Sequence, residues 1–194
     1  MKKILCLLLV CVCAFSIVAC SSAPDFYKEF KEAAAQTSPT TVTLTVKQEQ
    51  AYATLNARFV TTYAEDGSAT IVYSRDVFNE IGTGTADEPI STLTGTVTCD
   101  AQGNYSDGGA FAGNSAVVSG VNFDFNKKKM NATFSTDGNV LNATVAAADT
   151  AAVLGVDFGV DVTITITKSE GKIIAFTLEY TAAEGKVYVN CVYN

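Results

Sequence analysis

The chain predicts a mainly β fold of the α+β kind: a curved antiparallel meander sheet, or half-barrel, carrying one N-terminal amphipathic helix and a short late helix. Three observations predict it. Apolar and polar residues alternate with period two over most of the chain after Thr40. Glycine-bearing turn dipeptides fall between these runs, at Asp66-Gly67, Gly103-Asn104, Asp137-Gly138, Glu170-Gly171 and Glu184-Gly185. Only one segment, residues 25–36, has the 3.6-residue spacing of a helix. Alternation marks strands with one buried and one wet face. Glycine supplies the positive φ of tight hairpins, so consecutive strands should pair as neighbours.

The elements follow in order. In 25–36, Phe26, Phe30, Ala33 and Ala34 lie at i, i+4, i+7 and i+8, one face of a helix that Tyr27 widens. Asp25 suits the N-cap, Glu29 suits the positive end of the helix, and Ser38-Pro39 stops it. This face is expected to pack on the sheet, with contact between Phe26, Tyr27 and lipid headgroups as the sharper alternative.

Strands are then read from Val42-Leu44-Val46, Leu55-Ala57-Phe59, Ile71-Tyr73, Leu93-Val97-Cys99 and Val117-Val121-Phe123-Phe125. Met130-Ala132-Phe134, Val160-Val162-Ile164-Ile166, Ile174-Phe176-Leu178-Tyr180 and Val187-Val189-Cys191-Tyr193 complete the set. Threonine fills many of the opposing positions, being β-branched yet polar. The Ala-rich stretch 146–154, ending at Gly155, reads as a short helix or bulged connection. Residues 83–89 and 107–114 read as loops.

Before all this stands a different kind of segment. Met1-Lys2-Lys3 is basic, residues 4–18 are apolar apart from Ser16, and Ile17-Val18-Ala19-Cys20 follows. A positive start, a short apolar core and a small residue before a cleavage point describe an export signal, and the apolar run is short for a membrane span. The ending resembles the lipobox of bacterial lipoproteins. That resemblance implies a diacylglycerol on the Cys20 thiol, cleavage between Ala19 and Cys20, and acylation of the new amine, palmitate being the expected chain type. Two or three acyl chains hold a protein durably where one does not. Residues 1–19 are therefore expected to be a lipoprotein signal peptide, 20–24 a short membrane tether and 25–194 a single β-rich domain. The implied location is the bacterial cell envelope, outside the cytoplasm: the outer face of the cytoplasmic membrane, or the outer membrane of a Gram-negative cell. The tether, Ser21-Ser22-Ala23-Pro24, reaches only about 15 Å when extended, which holds the domain close to the bilayer.

Without residues 1–19 the chain has 175 residues, 11 of them basic and 20 acidic, for a net charge of −9. That opposes nucleic acid as a partner, since phosphate binding needs clustered cations. The chain has no His, which removes Ser-His-Asp and Cys-His catalysis and His-containing zinc sites. Asp100 to Asp107 loosely evokes a calcium loop, but it lacks the glycine and terminal Glu such a loop needs and reads as a polar hairpin turn. Asp157 and Asp161 share a strand face in this reading and are taken as solvated carboxylates. Lys127-Lys128-Lys129 is the one basic cluster, either a soluble hairpin tip or a contact for anionic lipid. Neither a metal, a cofactor nor a catalytic group is expected, and the protein is expected not to be an enzyme.

Cys99 and Cys191 both fall on apolar strand faces. Outside the cytoplasm they could form a disulfide, worth about 4.5 kcal/mol in a chain-entropy account, or remain buried thiols. Both readings stay open.

The order of lipobox, one helix, a long antiparallel run and a late helix resembles the unclosed β-barrel lipoproteins of the LolA and LppX type. The likeness is one of element order across the mature chain. It implies a curved sheet that wraps a helix around an apolar cavity for a lipid or other hydrophobic ligand; the surplus of inward apolar residues in this chain makes Phe26, Phe30, Phe59, Phe123, Phe125 and Phe176 the candidate contacts. The alternative is a surface adhesion or scaffold lipoprotein whose solid β core presents loops to a protein partner.

Overall fold

The computed structural model describes residues 25–79, 88–106 and 123–194. Helix α1 spans Phe26–Gln36. Strands β1 (Thr41–Glu49), β2 (Ala53–Tyr63), β3 (Ala69–Asn79) and β4 (Ser91–Cys99) follow as a meander. After β5 (Met130–Phe134) and β6 (Val140–Val145), a 3-10 turn, Ala147–Asp149, leads into α2 (Thr150–Leu154). Strands β7 (Val162–Ser169), β8 (Lys172–Ala182) and β9 (Gly185–Tyr193) complete the chain.

The described strands form one nine-stranded sheet in the order β4-β3-β2-β1-β9-β8-β7-β6-β5. Every neighbouring pair is antiparallel. The sheet does not close. β4 and β5 are its edges, and the first and last strands pair in its middle. The chain thus leaves β4 at one edge and re-enters at the other. Hairpin geometry joins sequence neighbours, but the β1–β9 pairing is long-range and rests on side-chain match instead: Leu44 faces Cys191 and Val46 faces Val189.

Register carries one apolar face across the whole sheet. A single row runs Phe134, Leu141, Ile166, Phe176, Cys191, Leu44, Phe59, Tyr73, Gly95. Because the side-chain period is two, residues one place along each strand point to the other face. There the residues are largely threonine, asparagine and charged groups.

Helix α1 starts and docks as its residues dictate. The Asp25 carboxylate accepts from the Lys28 N–H, capping the helix. At its other end the Thr37 hydroxyl donates to the Ala33 carbonyl at 2.7 Å and accepts from the Ile173 N–H of β8 at 2.8 Å. Lys168 of β7 adds an ion pair to Glu29 at 2.6 Å and stands over the Phe30 ring. A register shift at Thr167/Lys168 marks where β7 departs from regular pairing. Gly138, in the β5–β6 turn, has a φ of +69°, and a Cβ there would lie 2.2 Å from the Phe26 ring. Glycine therefore answers both the turn and the close approach of the helix.

Several details differ from the sequence expectations. Strand β6 is absent from the strands that the alternation predicts. Its inward residues Leu141, Ala143 and Val145 include a small one, and Asn142 between them weakens the local signal. Of the strand expected around Val117–Phe125, residues 117–122 lie outside the described residues, and 123–126 are irregular. Strand β7 begins at Val162, so Asp157 and Asp161 lie in the preceding loop and not on a strand. Both carboxylates hold their own loop together. Asp157 accepts from the Gly159 N–H, and Asp161 from the Ala147 N–H that opens the 3-10 turn. The Ala-rich segment is helical, and Gly155 ends α2 in the left-handed conformation. Apart from Glu88 and Pro89, the 83–89 loop lies outside the described residues, as do residues 107–114.

Candidate ligand-binding faces

The six candidate phenylalanines divide into two groups. Phe26, Phe30, Phe123, Phe125 and Phe176 join a chain of ring contacts. Phe26 and Phe30 lie 5.3 and 5.9 Å from Phe134 of β5. Phe30 meets Phe125 at 5.9 Å, Phe125 meets Phe123 at 5.8 Å, and Phe123 meets Phe176 edge-on at 5.2 Å. Tilted and edge-on rings at these spacings are favourable aromatic packing. Phe30 is fully buried, and Phe176 and Phe125 are nearly so. Tyr27 closes the end of the cluster, its hydroxyl donating to the Met130 carbonyl. Around these rings, the space between α1 and β5–β8 is packed core.

Phe59 stands apart. It lies on β2, three positions along the row from Phe176, and its ring contact is with Tyr73 of β3 at 6.4 Å. Around it the same apolar face is less well covered. Leu55, Ala57, Phe59, Tyr73 and Val77 are half-buried, Leu93 of the edge strand is 54 % exposed, and the exposed Arg75 sits among them opposite Ala57 and Leu93. The described helix contacts lie on the β5–β8 half of the sheet. The apolar stripe thus continues beyond the helix that seals its other half.

Cys99 and Cys191 are both free thiols. Cys191 lies in β9 and Cys99 in β4, four strand positions away in the sheet order. Burial pushes the Cys191 thiol up to about 12. Burial also raises Tyr193, which interacts with that thiol, and Tyr63.

A large concavity among the described residues is on the opposite, polar face. It is an open groove of about 650 Å³ over β3, β2, β1, β9 and β8. Two adjacent cross-strand rows line it. One reads Asp76, Asn56, Lys47, Tyr188, Glu179; the other reads Ser74, Arg58, Thr45, Asn190, Thr177. Leu178 and Val189 also border it but are buried on the apolar face, so main chain forms the floor there. Two further concavities extend the groove. One of about 340 Å³ reaches β4 and shares Arg58 and Ser74. The other, of about 540 Å³, reaches the loop before β7 and shares Glu179. Sequence reasoning missed these residues because they are spread two to a strand over five strands and share a surface only through register. The available signal was the placement of Lys47, Asn56, Arg58, Asp76, Tyr188 and Asn190 at outward positions where threonine prevails elsewhere.

Two lysines along this face are paired. Lys47 meets Glu49 and Lys186 meets Glu179, both at 2.5 Å, and both lysines stand over the Tyr188 ring. The Lys47 bond holds Glu49 below the usual carboxylate range, and the Glu179 bond raises Lys186. Asp76 accepts from the Thr92 hydroxyl at 2.7 Å.

The remaining candidates have structural partners. The lysine cluster forms a turn leading into β5. Lys127 pairs with Asp25 at 2.9 Å and lies over Tyr27, while Lys129 reaches Asp149 at 3.6 Å. The bond to Lys127 keeps the Asp25 carboxyl below its usual range. Asp100 accepts from the Gln102 and Asn104 main chain and from the Asn104 amide, so its oxygens are engaged within their own turn. Among the described residues, no cluster of three His, Cys, Asp or Glu could hold a metal ion. Cys20 lies outside the described residues, and no described helix is long and apolar enough to cross a membrane.

No protein-family model matches the chain, and no curated protein does. Among solved structures it is similar to LprF from Mycobacterium bovis, at 13 % identity and a TM-score of 0.42, over 87 % of this chain and 92 % of that one. It is also similar to a redesigned β barrel, mFAP1, bound to DFHBI, at 16 % identity and a TM-score of 0.23, over 84 % and 99 %. At these scores the neighbours carry no functional weight, and function has to be read from the chain's own residues.

Proposed function

We propose that this chain is a lipid-anchored, extracytoplasmic, non-enzymatic binding protein. It holds a hydrophobic ligand such as an acyl chain against the apolar face of β1–β4. One observation carries the reading: an apolar face runs across nine strands, broken on β3 by the exposed Arg75, whereas the described helix contacts lie on one half of it. Leaving Leu93 and its half-buried neighbours in water forgoes roughly 25 cal/mol for each Å² of apolar surface, which an apolar ligand would recover. Phe59 is the candidate contact that fits this place. The other five belong to the packing that holds the helix. The lipobox-like 17–20 segment supports the anchor and an envelope location, and the four residues after Cys20 keep the domain near the lipid that would supply such a ligand.

Mass spectrometry tests it. Full-length protein taken from membranes in mild detergent should carry a lipid-sized adduct beyond its own acyl chains. Phe59→Glu should lose that adduct while keeping the wild-type circular dichroism. A folded wild-type protein with no adduct refutes the binding reading and favours the adhesion or scaffold alternative. Separately, Cys20→Ser should abolish incorporation of labelled palmitate and move the protein to the soluble fraction.

A further inference from the structure

We infer that the groove on the polar face is a binding site for an uncharged, linear saccharide. Its position is distinct from the apolar face, so it does not rest on the ligand assigned there. The three adjoining concavities share lining residues and follow one another across β7, β8, β9, β1, β2, β3 and β4. At a strand spacing near 4.8 Å, that is a track of about 29 Å running across the strands. A track of this length fits an extended chain better than a compact metabolite.

The chemistry of the lining selects the class. Asn56, Asn190 and Arg58 offer amide and guanidinium donors, and the Asn side chains offer acceptors as well. Thr45, Ser74 and Thr177 add hydroxyls that both donate and accept. This mixture matches a ligand rich in hydroxyls, each of which both donates and accepts. Charge argues the same way. The central groove is lined by two cations, Lys47 and Arg58, and two carboxylates, Asp76 and Glu179, so neither sign dominates. A strongly anionic polymer would meet the two carboxylates, and a cationic one the two cations. Tyr188 lies in the middle of the track with Lys47 and Lys186 over its ring, so it contributes its phenol tip and not an open aromatic face. Peptide capture by strand addition needs an exposed edge, whereas this groove crosses the face of the sheet.

The test uses the acylated full chain in detergent. Glucose and mannose hexasaccharides, a chitin tetrasaccharide and, as an anionic comparator, heparin fragments are titrated by calorimetry. At least one uncharged oligosaccharide should bind, in preference to heparin. Asn190→Ala and Arg58→Ala should each weaken it by about tenfold, the scale of one lost hydrogen bond in a polar site. Thr133→Ala, on the same face outside the groove, should leave it unchanged. Circular dichroism melts should match the wild type for all three variants. Binding of none of the uncharged sugars, binding of heparin alone, or binding unaffected by both groove variants would each overturn the inference.

Discussion

Replacing Phe30 by alanine separates a filled interior from a ligand cavity beneath α1. The Phe30 ring is fully buried, lies 5.9 Å from both Phe125 and Phe134, and carries the Lys168 ammonium 5.4 Å from its centre. Truncating a phenylalanine in packed surroundings costs about 3–5 kcal/mol, because transfer free energy is lost and the cavity only partly collapses. The cation–π contact adds about 0.5–1 kcal/mol. The expected loss for Phe30→Ala is therefore about 3.5–6 kcal/mol, read from urea unfolding with an unchanged m-value. Phe30→Leu refills most of the volume and should recover more than half of that loss. A Phe30→Ala loss below about 1 kcal/mol would refute the reasoning, since only an already loose space could absorb the change so cheaply. The ligand would then belong under the helix and not at β1–β4.

Three further outcomes are expected. Thr37→Val removes the hydroxyl that serves both the Ala33 carbonyl and the buried Ile173 N–H, so it should cost about 1–3 kcal/mol and speed amide exchange at Ile173. Asp137 is held at about 2, chiefly by the Ser135 hydroxyl and then by Asn139, against a usual 3.8; its contribution is complete above the usual value and fades as pH falls toward 2. NMR should show the Asn139 amide losing protection across that window, and Asp137→Asn should flatten the change. Cys191 stays a neutral thiol to about pH 12 where the unfolded chain ionises near 9.0, so its contribution is full below the lower value and declines above it. The native protein should resist maleimide at Cys191 at pH 8 and react there once denatured, and Cys191→Ala should flatten the alkaline decline in stability.

The strands that the sequence revealed were those whose inward residues are large. Val42-Leu44-Val46 and Val162-Ile164-Ile166 announce themselves because one bulky side chain follows another at every second place. β6 escaped because the small Ala143 sits between Leu141 and Val145, and Asn142 carries little strand signal. The five core phenylalanines were legible as apolar contacts, but not as contacts with each other. Phe30 and Phe125 are 95 positions apart and meet only after the helix lies down across the sheet. The polar groove was the least legible feature, since its ten lining side chains come from five strands and acquire a common surface only through register.

What the chain determines by itself is local: an amphipathic helix capped by Asp25, alternating strands, and turns at glycines such as Gly138 and Gly171 with their positive φ. These follow from dihedral preference and the two-residue period, which neighbouring residues feel without the rest of the protein. The tertiary structure decided what lies opposite what. It paired the first strand with the last, packed α1 on β5–β8, and left the apolar stripe at β2–β4 half-covered. Those outcomes depend on contacts between distant residues, among them Phe26 over Gly138, Thr37 on Ile173 and Lys168 with Glu29. Their energies arise only when the surfaces meet, so no local pattern encodes them.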